Sequence, residues 1–239
     1  MLVGGLPGTL DDMVGATPAT GAFLDHLSPA DKEVVLSAGR ARHYRAGETI
    51  LVAGDPGSFV VLITEGRAKV VAPSPTGTET VLSLRGPGDL IGELAAIDDE
   101  PTPRVATVVA LDAVICRVVR AEDFRSILAG HAAIALELLR MLAARLRTSD
   151  RRLVEFGAYD ITRRVARLLA DMADEVGRPS GTTTVLPRGL SQDDLAGLVG
   201  GSRESVARAL AALRSLGFVS TGRRQVVVHD VAGLRDHAR

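Results

Sequence analysis

The chain has 239 residues, 46% apolar and 24% charged, which fits a soluble globular protein with room for one large domain or two ordinary ones. A single cysteine, Cys116, excludes a disulfide framework, a multi-cysteine zinc site and a cysteine-ligated iron–sulfur cluster within one chain. The formal net charge of −1 argues at first sight against a nucleic-acid partner, and no apolar run reaches the roughly 18 residues of a membrane span.

That sum hides an asymmetry. Residues 1–130 hold 11 Lys+Arg against 17 Asp+Glu, whereas residues 131–239 hold 17 against 12, every one of those 17 an arginine. An acidic front and a basic back suggest two units with different partners, although a codon bias toward arginine gives the same signature. The N-terminus lacks the basic and apolar segments of a signal peptide, so a cytoplasmic protein is expected.

Residues 1–21, rich in Gly, Thr, Pro and Ala without periodicity, read as a flexible tail. Ser28-Pro29 followed by Ala30, Val34, Val35 and Ala38 predicts a short capped helix. Between Tyr44 and Val119 the pattern changes to short β-rich runs at 49–52, 59–64, 68–72, 80–84, 106–110 and 114–118. Gly47, Gly54, Gly57, Gly66, Gly77, Gly86 and Gly88 mark the turns, the spacing of a sandwich, barrel or jelly roll. Cys116 falls within the last of these runs and is expected as a small core residue.

After Ala121 the period becomes helical. Ala132, Ala135, Leu139, Leu142, Leu146, Ser149, Leu153 and Phe156 alternate steps of three and four, the seam of a coiled coil. So long a helix calls for a partner, most simply its own copy, the alternative being packing on its own β unit. Leu139, Leu142, Leu146, Leu153 and Phe156 are the candidate dimer contacts, and Ser149 is a polar seam position that needs something polar to meet it. Gly157 is expected to loosen this helix before Asp160 caps a second one over 161–176, with Val165, Leu168, Leu169 and Met172 inward. The stretch 177–181 reads as a turn and 182–186 as a strand.

Residues 191–199, Gly200-Gly201 and 202–216 predict two helices around a tight glycine turn, with Leu195, Ala196, Val199, Val206, Leu210 and Leu213 inward: a helix-turn-helix. A hairpin over 218–228, turning at 221–224, follows as a wing. Ser202 caps the second helix and leaves Arg203, Glu204 and Arg208 on its exposed first turns. Arginine forks to guanine and glutamate accepts from cytosine, so the set suits G·C pairs in a major groove; the same spacing also describes an ordinary solvated face.

In the front half, Gly92-Glu93-Leu94-Ala95 is followed by Pro103-Arg104-Val105-Ala106. A carboxylate for a sugar hydroxyl and a guanidinium for an anion would suit a phosphorylated sugar, and an internal salt bridge explains the same two residues. No G-x-S-x-G, H-E-x-x-H or Walker loop supports an enzyme, and the five histidines show no ligand or triad spacing.

The string GELAAIDDEPTPRVATV resembles the phosphate-binding cassette of cyclic-nucleotide-binding domains, and SRESVARALAAL resembles the recognition helix of the CRP/FNR family of bacterial regulators. The resemblance spans about Phe23 to Val228, with both motifs in the family's order around a long helix. It implies an α+β chain: a flexible tail (1–21), a cyclic-nucleotide-binding jelly roll (22–130), a dimerisation helix (131–158) and a winged helix-turn-helix DNA-binding domain (159–239). It further implies that Glu93 bonds the ribose 2′-hydroxyl and Arg104 the cyclic phosphate. Gly92, Leu94, Ala95 and Val105 would complete the cradle, Val70 and Leu82 would wall the base, and Ser149 and Asp150 would meet it, one from the opposite subunit.

Ser202, Arg203, Glu204 and Arg208 fall on the family's DNA-contacting positions, which implies palindromic sites of the TGTGA type in double-stranded DNA. Cyclic AMP is the implied effector, with no metal and no membrane, and RNA polymerase the implied further partner of a homodimer. Two departures bear on the base: Val105 stands where the family's best-known activator carries a hydroxyl residue, a threonine there being associated with cyclic-GMP selectivity, and Asp150 stands where that activator has a serine. The alternative within the fold is a regulator that binds DNA without ligand or senses another effector.

Overall fold

The computed structural model describes residues 22–73, 79–98, 100, 102–175, 177–223 and 225–239. The tail expected at 1–21 lies outside the described residues, as do Gly77 of the turn glycines, Asp99 and Pro101 of the cassette string, Val176 at an expected helix end and Arg224 of the wing turn.

Ser28 caps the first α-helix, Pro29–Ser37, by accepting from the Asp31 amide at 3.1 Å, as the Ser-Pro pair predicts. The front unit then carries β1 (Arg40–Tyr44), β2 (Thr49–Leu51), β3 (Phe59–Glu65), β4 (Ala68–Pro73), β5 (Glu79–Arg85), β6 (Leu90–Ile91), β7 (Thr107–Ala110) and β8 (Val114–Arg120). They pair antiparallel in two sheets, ordered β1-β8-β3-β6 and β2-β7-β4-β5, to make the jelly roll. β3 is apolar at nearly every position because it is covered on both faces. Val61 and Ile63 point into the roll with Ile50, Ile91, Val108 and Cys116, while Val60 and Leu62 pack outward against Phe23, Val35, Phe124 and Ile134. Neither β1 nor β6 is among the predicted strands. β1 reads RARHY, is almost wholly exposed and pairs only with β8, so an edge strand carries no apolar alternation to betray it.

Two helices follow, Ala121–Gly130 and Ala132–Ala158, with a 111° bend between them. Among the described residues no single helix is long and apolar enough to cross a membrane. The long helix seats Ile134 and Leu138 on the roll and turns Leu139, Leu146 and Leu153 to solvent at 63%, 63% and 68% exposure. Two of the expected seam residues also touch other parts of the chain, Phe156 while remaining 41% exposed. Leu142 is half-buried against the roll, and the Phe156 ring packs beside Gly200 and under the Arg164 guanidinium. Gly157 does not loosen the helix, which continues to Ala158, and the break falls at Tyr159-Asp160.

Asp160 caps the helix Ile161–Glu175, accepting from the amides of Thr162 and Arg163 at 2.8 and 3.0 Å. Val165, Leu169 and Met172 form its inward face, packed on the two helices Gln192–Val199 and Arg203–Ser215. The stretch 177–181 is not a turn throughout. Arg178–Ser180 is a strand, β9, paired with β10 (Thr183–Val185) about a bend at Gly181, which adopts φ +61°. Pro179 fits there because β9 is the edge of the sheet β11-β12-β10-β9, completed by β11 (Val219–Gly222) and β12 (Gln225–Val228). A closing helix, Val231–His237, buries Leu234.

The back unit rests on the outer sheet of the roll. Lys69 of β4 donates to Asp194 at 2.6 Å, and Val71, Val81 and Leu198 form a small apolar cluster between the units. Gly197 lies so close to β5 that a Cβ there would be 2.7 Å from the Val81 amide nitrogen.

Candidate effector pocket and nucleic-acid interface

A cavity of about 1480 Å³ opens between the roll, the long helix and the helix Ile161–Glu175. Val70, Leu82, Gly92, Glu93, Leu94, Ala95, Arg104 and Val105 all line it, so the fold gathers both halves of the cassette string at one site. Gly92 is held at φ +82°, and a Cβ there would meet Arg104 Nη1 at 2.5 Å. Glycine is therefore required both for the backbone bend and for the guanidinium beside it. Arg104 is nearly buried. Its Nη2 donates to the Phe59 carbonyl at 2.8 Å, and its guanidinium stacks over the Phe59 ring at 4.5 Å. Burial lowers its pKa, against the pull of Asp55 and Glu93.

Glu93 and Arg104 do not neutralise one another. The Glu93 carboxylate, 4% exposed, accepts from Arg145 Nη1 at 2.5 Å, and Arg145 Nη2 donates to the Leu90 carbonyl at 2.7 Å. An ion pair does form, but across elements: a helix residue closes on the cassette carboxylate. Sequence reasoning does not single out Arg145, because it falls between apolar seam positions where an arginine reads as a solvated flank. The available signal was its place four residues before Ser149, one turn away on the same face. Arg85 at the end of β5 and Arg152 of the long helix also line the cavity, and neither is among the expected site residues. Arg152 donates to the Leu82 carbonyl at 2.6 Å, and burial lowers its pKa. Ser149 lines the cavity; Asp150 is exposed and does not.

Below Arg152 sits a carboxylate cluster. Burial raises the pKa values of Glu155, Asp171 and Glu175, opposed at Glu155 first by Arg167, 3.1 Å away, and at all three by Arg151, which ion-pairs with Glu155 and Asp171 at 3.6 Å each.

In the back unit, Ser191 and Asp194 close a reciprocal cap on the first helix, and Gly200 ends it in the left-handed region at φ +60°. Ser202 then caps Arg203–Ser215, its hydroxyl accepting from the Ser205 amide at 3.2 Å. Val206, Ala209, Leu210 and Leu213 anchor that helix in the core, which leaves Arg203, Glu204 and Arg208 exposed along its first two turns. Glu204's own backbone amide and the Ser202 hydroxyl hold its carboxyl below the usual range, so it is ionised at neutral pH. Two guanidiniums and one carboxylate on the free face of a capped helix, with a hairpin beside it, match the shape that enters a major groove.

Comparison with known proteins gives matching results for the two halves. The model of the cyclic nucleotide-binding domain matches residues 41–131, and that of the Crp-like helix-turn-helix domain matches residues 163–237. The chain is 33% identical over 193 residues to a CRP-like cAMP-activated global transcriptional regulator of Mycobacterium tuberculosis, covering 81% of this chain and 85% of that protein. It is 30% identical over 212 residues to the cyclic AMP receptor protein of Thermus thermophilus, covering 89% and 94%. Among solved structures, a CRP-family transcriptional regulator from Thermus thermophilus superposes with a TM-score of 0.69 at 25% identity, covering 82% of this chain and 96% of that one.

Proposed function

The chain belongs to the CRP/FNR family of DNA-binding transcription regulators and carries a cyclic-nucleotide-binding domain, and on that premise we propose that it is a cytoplasmic homodimer controlled by a cyclic nucleotide, with cyclic AMP the first candidate. The observation that carries this reading is Arg104. It is a buried guanidinium, satisfied among the described residues by backbone carbonyls and an aromatic face, at the edge of a cavity that also holds a buried carboxylate. A cyclic phosphate would supply the missing counter-charge, and Glu93 would accept a ribose hydroxyl.

The link to DNA runs through Arg145, which ties the pocket carboxylate to the long helix. Leu139, Leu146 and Leu153 supply an exposed apolar stripe for a second copy of that helix. Pairing along it would bring Asp150 toward the partner's cavity and set two recognition helices about 34 Å apart, one turn of DNA. Palindromic sites of the TGTGA type are the matching target, read by Arg203, Glu204 and Arg208, with RNA polymerase as the downstream partner. Ligand acts by binding that arrangement better than any other.

A gel shift on such a palindrome, with cyclic AMP, cyclic GMP or no ligand, tests the reading. Cyclic AMP should tighten the complex, and Arg104→Leu should remove both that response and nucleotide binding in calorimetry. Retained nucleotide affinity in Arg104→Leu would refute the site. A ligand-independent regulator is the second reading. It is favoured by the Glu93–Arg145 pair itself, which already joins pocket and helix, and equal operator affinity with and without nucleotide would select it.

A further inference from the structure

Two carboxylates open the first helix of the helix-turn-helix, Gln192–Val199, and they are used differently. Asp194 closes the cap on Ser191 and takes Lys69 of the roll, and it is buried. Asp193 does neither. It reaches across the glycine turn and lies 3.8 Å from Nη1 of Arg203, the first residue of the second helix. The two side chains are 67% and 64% exposed, and among the described residues neither makes another hydrogen bond or ion pair.

A pair this exposed adds little to folding stability, so its consequence lies in how it presents Arg203. The planar guanidinium carries N–H donors along three sides. With Asp193 at Nη1, the side formed by Nε–H and the near N–H of Nη2 is left open, and those two parallel donors match O6 and N7 of guanine. An unbraced arginine gives up its rotamer freedom when it meets the base, whereas one already held by Nη1 has surrendered part of it beforehand.

Charge acts in the same direction. Arg203 and Arg208 are matched by two carboxylates, Glu204 and Asp193, so this surface has no net formal charge. Glu204 is drawn to its own backbone amide and the Ser202 hydroxyl, and both arginines also favour its ionised form. Attraction to phosphate is blind to sequence, and base edges are what discriminate. The first helix of such a motif crosses the DNA backbone, which puts Asp193 on the side from which phosphates approach Arg203.

We propose that Asp193 is a positioning residue for base reading. Its carboxylate holds Arg203 by Nη1, aims the Nε–Nη2 edge at one guanine in each half-site, and keeps the guanidinium off non-cognate phosphates. The proposal rests on the reading of Arg203 as a base-contacting side chain and names what sets its selectivity.

The test is site selection from a randomised palindrome by the full chain, with and without cyclic AMP. Fluorescence anisotropy follows on the selected duplex, on its single-base variants and on an unrelated duplex across a salt series. Asp193→Ala should lower the preference for guanine, at the position that Arg203→Ala identifies, by roughly two- to fivefold per half-site. On the unrelated duplex the same variant should bind tighter, with a log–log salt slope steeper by about 0.9 per subunit as each freed guanidinium takes a phosphate. Asp193→Glu should keep most of the preference, and in an Arg203→Ala background Asp193→Ala should change no base preference. An unchanged preference in Asp193→Ala, an equal loss on every duplex, or a change that persists without Arg203 overturns the proposal and leaves Arg203 as a reader. If Arg203→Ala itself alters preference at no position of the site, the base-reading assignment falls with it.

Discussion

Replacing Gly197 by alanine separates the stability of the DNA-binding unit from its docking on the roll. The new methyl would sit 2.7 Å from the Val81 amide nitrogen and 3.5 Å from the Thr80 backbone, well inside the ~3.5–4.0 Å at which such atoms prefer to meet. Backbone lies on both sides of the contact, so no side chain can swing away, and overpacking of this kind costs about 1–3 kcal/mol. The helix Gln192–Val199 itself gains about 1 kcal/mol from alanine in its interior. That gain is present whether the unit is docked or free, and it cancels in the docking equilibrium, whereas the clash does not. Docking should therefore weaken by roughly 5–150-fold. Hydrogen exchange reads the two effects with opposite signs: amides of β5 (Glu79–Arg85) should exchange faster, while those inside the helix-turn-helix core around Leu195 and Leu210 exchange no faster than before. Wild-type exchange along β5 in Gly197→Ala would show that the close approach does not constrain the packing.

Two further perturbations address the same architecture. Burial pushes the Asp194 carboxyl up, but hydrogen bonds from Lys69 and Ser191 outweigh it and leave the folded value below the ordinary one. The Ser191 bonds belong to the helix cap and persist in the undocked unit, so docking gains only the depression due to Lys69: that contribution is full above the undocked carboxyl's pKa and is lost as pH falls through the docked value. Docking followed by β5 exchange should thus be flat above about pH 5 and weaken below about pH 4; Asp194→Asn should remove the acid dependence and loosen docking at neutral pH by about 1–3 kcal/mol, and an acid dependence that persists in Asp194→Asn would assign it elsewhere. On the long helix, Leu146→Asp with Leu153→Asp places charge where burial of each leucine is worth about 1.5–3 kcal/mol. Sedimentation should find a dimer in the parent and a monomer in the double variant, and a dimer in both would discard the seam as the interface.

Much of this was legible because local signals agree. The Ser28-Pro29, Asp160 and Ser202 caps each do what their spacing predicts, and Gly200 takes the left-handed conformation that a tight turn between two helices requires. Gly92 and Arg104, twelve residues apart in sequence, come together at the cavity. What escaped has physical causes. The edge strands β1 and β9 are polar and exposed, so they lack the alternation by which strands are recognised, and Pro179 points away from a strand except at an edge. Arg145, Arg85 and Arg152 became site residues only through tertiary approach: each sits at a position where the surrounding sequence gives an arginine no reason to turn inward. The docking of the two units was written in one residue, Gly197, a glycine in a helix interior whose propensity cost is explained only by the strand packed against it.

The hold of Arg145 on Glu93 and Leu90 has a consequence for measurement. One side chain bonds the cavity's carboxylate and belongs to the helix that leads to the DNA-binding unit, so in the proposed regulator a shift at one end would act on the other. Linkage of this kind is reciprocal: the factor by which an effector tightens the operator complex must equal the factor by which operator DNA tightens the effector. A titration of effector into protein already saturated with DNA therefore reports the same coupling as a gel shift, and Arg145→Met, which keeps the bulk of the side chain but not its charge, should reduce both factors together.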